Sequence, residues 1–269
     1  MRKIRIVLLL LCALAVFLWW ENNTVQTETV EVRLPRLPSA FDGLRLVLLA
    51  DLHGRSFGTD NGDLLDAVRQ AEPDLICICG DLFEEDTPLS YLRTLCTGLT
   101  AIAQTCYVTG NHEWQVKDLR SVLRSMEDWG VQVLQDDFFV LERDGARIAV
   151  AGVDDPCGPL ERKSAQTLAD QARQEADFLC MLSHRNDELG KWAALDVDLV
   201  LSGHCHGGIV RLPFLGGVFG ADRTFFPAFD AGLYRQAQTC LYVSRGLGFG
   251  RVRFRLFNRP HLPVLILHS

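Results

Sequence analysis

Residues 199–208 read Leu199-Val200-Leu201-Ser202-Gly203-His204-Cys205-His206-Gly207-Gly208. An apolar run suited to a buried strand stops at glycine, presents two imidazoles one residue apart, and passes into a second glycine pair. In an extended or sharply turning segment, side chains at i and i+2 can point to one side, and glycine lets backbone approach closely. The pattern suits metal ligation. Taken alone, it describes two loop histidines on an ordinary turn equally well.

The same arrangement recurs toward the N-terminus. Residues 44–50 form an almost continuous apolar run, as expected of a strand covered on both faces, and end in Asp51-Leu52-His53-Gly54. Residues 74–79 lead into Gly80-Asp81, residues 106–109 into Gly110-Asn111-His112-Glu113, and residues 178–182 into Ser183-His184. Helical periodicity fills the gaps. One helix runs from a cap at Asp60 to Glu72, where Pro73 stops it; others cover residues 91–99 and 116–129, the last closed by Gly130.

Strand and helix therefore alternate through the first half, which argues for an α/β sheet. After Gly130 hairpins replace crossovers. Residues 131–134, 138–142 and 147–153 read as strands, the last two joined by Asp144-Gly145. Helical pieces at 161–176 and 186–194 precede the opening motif, and strands are expected at 209–214, 239–244, 252–256 and 264–267.

Composition admits a sizeable core: 48% of the 269 residues are hydrophobic and 23% are charged, ordinary globular usage. The formal charge of -7 argues against a broad electrostatic footprint for nucleic acid. At the start, Arg2, Lys3 and Arg5 precede an uncharged apolar run from Ile6 to Trp20. It reads as a signal anchor over residues 1–20, with Trp19 and Trp20 as an interfacial belt, and the positive flank places the rest of the chain outside the cytoplasm. Secretion after signal cleavage is the alternative, and the apolar residues continuing past Ala13-Leu14-Ala15 speak against it. Residues 21–40 read as a polar stalk, and residues 41–269 as the domain. The nine cysteines do not form a disulfide framework; Cys77 and Cys79 sit in an apolar run and read as buried small hydrophobes.

Five apolar strands thus end in Asp51 and His53, Asp81, Asn111 with His112, His184, and His204 with His206. Open α/β sheets gather their sites at strand ends. Each residue has an ordinary account as a helix cap, a turn residue or a core histidine, but their coincidence does not. The oxygen and imidazole donors suffice for two divalent ions with one carboxylate between them.

The order D-x-H, G-D, G-N-H-E, a lone His and G-H-x-H resembles the calcineurin-like metallophosphoesterase family, in particular its membrane-anchored bacterial branch. A looser likeness extends through residues 207–214 and 230–234 to 244–248. The resemblance implies a four-layer α/β/β/α sandwich. It also implies one ion on Asp51, His53 and His206, a second on Asn111, His184 and His204, and Asp81 bridging them. A hydroxide held between the ions would attack phosphorus, and His112 would stabilise charge or protonate the leaving oxygen. The ions would be Mn²⁺, Fe or Zn²⁺, a choice the ligand types do not make. Glu113 could orient His112 but reads rather as a helix-start acid, Asp154-Asp155 reads as a turn, and Cys205 is left out of the ligand set. The chain departs from the branch at His261, which follows Pro260 where an acidic residue is common.

For the substrate, Phe214, Phe219, Phe225, Phe226, Phe229 and Tyr234 crowd one segment, either as core under a long loop or as an apolar lip. Arg251, Arg253 and Arg255 alternate and would share one face of a strand, protecting an edge or meeting an anionic headgroup. The reading is a phosphodiesterase or pyrophosphatase acting on an envelope lipid or a lipid-linked nucleotide. A broad phosphomonoesterase or nucleotide phosphodiesterase is a second reading, and a metal-retaining scaffold that binds phosphate without turnover is a third.

Overall fold

In a computed structural model, which describes residues 2–158, 163–220, 223–250 and 252–269, the chain begins with helix α1 (Arg2–Asn23) and strands β1 (Gln26–Arg33) and β2 (Leu44–Leu49). Next come α2 (Gly62–Gln70), β3 (Leu75–Cys79), α3 (Leu89–Thr100), β4 (Gln104–Val108), α4 (Leu119–Asp128) and β5 (Gln132–Val133). The second half holds β6 (Asp137–Arg143), β7 (Ala146–Gly152), α5 (Ala165–Glu175), β8 (Phe178–Leu182), α6 (Leu189–Ala194) and β9 (Leu199–Ser202). It closes with β10 (Arg211–Leu212), β11 (Gly216–Gly217), β12 (Gly232–Gln236), β13 (Thr239–Val243) and β14 (His261–His268).

Two six-stranded sheets result, ordered β1-β14-β2-β3-β4-β5 and β12-β13-β9-β8-β7-β6. Strands β2 to β5 are parallel, as are β7, β8, β9 and β13. Their side chains alternate between faces. Leu46, Leu48, Cys77 and Val108 meet Val150, Cys180, Leu201 and Tyr242 in the layer between the sheets. Val47, Ile76, Ile78 and Tyr107 face outward onto α2, α3 and α4, while Ala149, Leu179, Met181 and Val200 pack on α5 and α6. The order of layers is therefore helix, sheet, sheet, helix, as the resemblance implied. Cys77, Cys79, Cys106, Cys180 and Cys240 are buried in the inter-sheet layer as small apolar side chains.

The structure revises four local expectations. Residues 26–33, read as part of a stalk, form β1, which pairs in parallel with β14 over its whole length. Only Val32 and its half-buried neighbour Val30 join the inter-sheet core, so the strand has one polar face and looks like a linker in isolation. Asp60 does not cap α2; Asn61 precedes the helix, and its Oδ1 accepts the Phe57 N–H at 3.1 Å. The start expected for α5 at Glu161 lies outside the described residues, and the helix is capped by Ser164, whose Oγ accepts from the Thr167 N–H. Residues 252–256 form no strand beyond a single bridge between Val210 and Leu256. Asn22 replaces the missing ladder partner: its Oδ1 accepts the Arg255 N–H at 2.8 Å and its Nδ2 donates to the Arg255 carbonyl at 3.0 Å. Arg253 is exposed and Arg255 is buried, so these two share no face; Arg251 lies outside the described residues.

Candidate metal centre

The parallel strands of both sheets end at one edge, and each delivers its motif there. Asp51 and His53 follow β2, Asp81 follows β3, Asn111 and His112 follow β4, His184 follows β8, and His204 and His206 follow β9. To turn so soon after a strand, the chain adopts left-handed backbone at Asp51, His53, Asp81, His204 and His206, with φ between 50° and 67°. Such conformations are uncommon outside glycine and cost about 1–3 kcal/mol each, and they cluster where packing forces them at functional sites. Glycine makes room for the loops. A Cβ on Gly80 would lie 2.6 Å from the Gly110 nitrogen and 2.7 Å from His184 Nδ1, and one on Gly110 would lie 2.3 Å from Asp81 Oδ1.

The donor atoms converge in two groups. In the first, His53 Nε2 is 3.2 Å from His206 Nε2, which stands 3.9 Å from Asp51 Oδ1. In the second, His184 Nε2 is 3.1 Å from His204 Nδ1, 3.3 Å from Asn111 Oδ1 and 3.3 Å from Asp81 Oδ2. Asp81 Oδ2 also lies 3.7 Å from His53 Nε2, so this carboxylate reaches both groups. The donors of Asp51, His53 and His206 lie within 4.8 Å of one another, as do those of Asp81, His184 and His204.

Charge favours a cation here. Asp51 and Asp81 are fully buried, and burial raises the Asp51 pKa to about 6 against the opposing pull of His184. Buried carboxylates need a compensating positive charge. Burial lowers the His184 pKa, but Asp81 and Asp51 outweigh it and push the imidazole up to about 10. The field that holds a proton on His184 would hold a divalent ion in its place. Burial, His53 and Arg255 together hold the His206 pKa well below its usual value, leaving a neutral imidazole with a lone pair to give. Imidazole, carboxylate and amide oxygen form a donor set that divalent transition metals accept.

Several side chains outside the expected ligand set surround this centre. Glu84 Oε1 lies 3.0 Å from His53 Nδ1 and 3.2 Å from His112 Nδ1, tying the two rings together at a centroid separation of 4.7 Å. Glu113 is neither a simple helix-start acid nor a partner of His112. Its Oε1 accepts the Leu82 N–H at 2.6 Å, and its Oε2 accepts those of Asp81 and Gly110 at 3.0 and 2.8 Å. Asp155 does more than turn the chain: it pairs with Arg185 at 2.7 Å, and Arg185 Nη1 reaches His204 Nε2 at 3.0 Å. Asp154 accepts from Thr109 Oγ1 at 2.7 Å. Cys205 is buried between the two histidines, and the His261 ring faces Glu28 at the β1–β14 edge. Sequence could single out Arg185 and Glu84 only by adjacency, one residue after His184 and three after Asp81.

The open side is a cavity of about 520 Å³ bounded by Asn111, His112, Arg185, Phe219, Arg223 and Val252. Residues 44–208 match the family described as calcineurin-like phosphoesterase. The chain belongs to the calcineurin-like metallophosphoesterases. This family typically binds two divalent metals and hydrolyses phosphoric esters.

Metallophosphoesterase YkuE of Bacillus subtilis is 28% identical over 93% of this chain and 87% of its own. Metallophosphoesterase Cj0846 of Campylobacter jejuni is 30% identical over 96% and 68%. A bovine transmembrane protein with a metallophosphoesterase domain is 31% identical over 90% of this chain, which spans only 56% of that longer protein. Among solved structures, the NAD nucleotidase of Haemophilus influenzae superposes with a TM-score of 0.51 at 15% identity, covering 76% of this chain and 45% of that one. At that identity the likeness speaks to the fold alone.

Proposed function

We propose that this metallophosphoesterase hydrolyses a phosphodiester or pyrophosphate bond of an amphiphile held in a membrane. Asp51, His53 and His206 would hold one divalent ion, Asn111, His184 and His204 the other, with Asp81 shared. The observation that carries the assignment is the convergence of both donor groups on Asp81 Oδ2, 3.3 Å from His184 and 3.7 Å from His53. Bound there, the ions supply Lewis acidity toward a water and toward the phosphoryl oxygens.

The chain's own residues do the rest. Glu113 fixes the backbone of Asp81 and of Gly110, so the shared carboxylate is set by a buried hydrogen-bond network. Arg185, oriented by Asp155, lines the cavity beside Asn111 and offers positive charge to a phosphoryl oxygen. His112 has Nδ1 engaged by Glu84, which leaves Nε2 for the leaving oxygen. Burial, with His53 and His184, holds the His112 pKa below its ordinary value against the opposing carboxylates of Asp81 and Glu84. From that position the ring would stabilise charge on the leaving oxygen or pass a proton to it.

The membrane part of the reading rests on α1, 22 residues with a mean hydropathy of 2.2 in its most apolar window and only 6% of that window buried against the domain. Such a helix is long enough to cross a bilayer. The basic residues before it favour an extracytoplasmic domain. The test is elemental analysis of the purified full chain, then turnover of soluble diesters, nucleotides and membrane-held phosphodiesters and pyrophosphates with Mn²⁺. Two metal equivalents and preferred turnover of a membrane-held ester are expected. Turnover of soluble esters alone would remove the lipid reading.

A further inference from the structure

Outside α1, the large hydrophobic side chains left exposed among the described residues are Leu89 and eight others, and all eight fall between Leu212 and Phe257. Scattered exposed apolar residues are normal on a protein surface, but a cluster is not. The two segments that supply them are joined in space. Val210 bridges Leu256, and Phe219 packs on Phe225 with ring centroids 5.3 Å apart. Phe219 and Val252 line the metal cleft, so the patch forms one rim of its mouth.

The patch is also continuous with α1. Phe17 meets Phe257 at 6.1 Å, and Arg259 stacks on Trp20 at 4.3 Å. The joint between helix and rim is fixed. Beyond the Asn22 contacts with Arg255, Glu21 Oε1 accepts the Asn258 N–H at 2.7 Å, and Asn258 Nδ2 donates to the His206 carbonyl at 2.8 Å. Arg223 and Arg253 stand exposed along the same rim, cationic where an anionic headgroup would lie.

We propose that Phe214, Leu215, Phe225, Phe226, Phe254 and Phe257 insert into the interfacial layer of the bilayer that holds α1, so that the metal cleft opens onto the plane of the phosphate headgroups. The proposal rests on α1 being an anchor. Its occupant is a phospholipid surface, and the substrate class that follows is a phosphoester whose apolar tail stays in the bilayer during hydrolysis.

The test uses the full chain in nanodiscs of phosphatidylcholine and phosphatidylglycerol, with a nitroxide at acyl position 5. Single-thiol labels carry an environment-sensitive fluorophore. Native Cys12, exposed on α1, reports the anchor in a Cys157→Ser background. Phe214→Cys and Glu142→Cys, each with Cys12→Ser and Cys157→Ser, report the rim and the far edge of the sheets, where β6 turns into β7. Phe214 is fully exposed, so the label displaces no packing. Quenching of the Phe214→Cys label is expected to exceed that of Glu142→Cys several-fold, with a blue-shifted emission. Equal quenching at the two sites with Cys12 strongly quenched would overturn the docking surface and leave the anchor standing. An unquenched Cys12 label would overturn both.

Discussion

Glu113→Gln isolates what holds the shared carboxylate in place. In the native fold each Glu113 oxygen faces backbone N–H groups, Leu82 at 2.6 Å on one side and Asp81 and Gly110 at 3.0 and 2.8 Å on the other. An amide has one acceptor oxygen, so either orientation turns an NH₂ group toward at least one buried N–H. Hydrogen bonds to a charged acceptor contribute about 1.5–3 kcal/mol each, and an orphaned buried donor costs about 1–3 kcal/mol. Burial and the Asp81 charge push the Glu113 pKa upward, so neutralising the group returns part of that loss. A net cost of about 2–4 kcal/mol follows, which at about 2–4 °C per kcal/mol for a domain of this size lowers Tm by roughly 5–15 °C. The assay is calorimetry of metal-free wild type and variant at one scan rate, followed by elemental analysis after loading with Mn²⁺. The variant is expected to melt earlier and retain less metal. A Tm within about 2 °C of wild type together with full metal content would refute the argument that this network sets Asp81.

His112→Ala should lower hydrolysis of bis(p-nitrophenyl) phosphate by about 10²–10⁴-fold while metal content stays at the wild-type level; undiminished turnover would remove the ring from the chemistry. Gly110→Ala places a Cβ 2.3 Å from Asp81 Oδ1, so loss of bound metal measured by elemental analysis is expected, and full occupancy would contradict the crowding. Stability should also fall between pH 6.5 and about 4 through His261, which burial holds at about 4 despite Glu28, with Arg245 and Arg255 adding to the depression. The unfolded chain takes up the proton first as pH drops, which costs the fold up to about 3 kcal/mol across that window, and His261→Phe should flatten the Tm profile there. Chelation followed by dialysis should abolish turnover and lower Tm, since metal at 100 times its Kd adds about 2.7 kcal/mol; Mn²⁺ should restore both.

The strand ends were legible because each buried run is short, apolar and closed by a polar residue beside glycine, as in residues 44–53 and 199–208. Alternation pointed to an α/β sheet, the four-layer order came only through the family resemblance, and the structure gathers every expected donor at one edge. What escaped has a common physical cause: partners far apart in the chain. Strand β1 pairs with β14 more than 230 residues away, and with only Val30 and Val32 apolar it carried too short an alternation to stand out from a polar linker. The Arg253 and Arg255 alternation looked like a strand, but Asn22 takes up the Arg255 backbone instead. Glu84 matters through the two imidazoles it spans, a relation set by the fold and invisible in spacing.

Strand β1 begins three residues after α1 ends and is hydrogen-bonded to β14 along its length, which leaves no swinging arm between helix and sheet. With α1 in a bilayer, the enzyme cannot sweep a volume; its cleft samples a single shallow slice parallel to the surface. For a substrate held in the same membrane, as proposed, encounter becomes a two-dimensional search. Turnover should scale with the mole fraction of substrate in the membrane and with lateral diffusion, and adding host lipid should slow the reaction even at constant bulk concentration of substrate and protein.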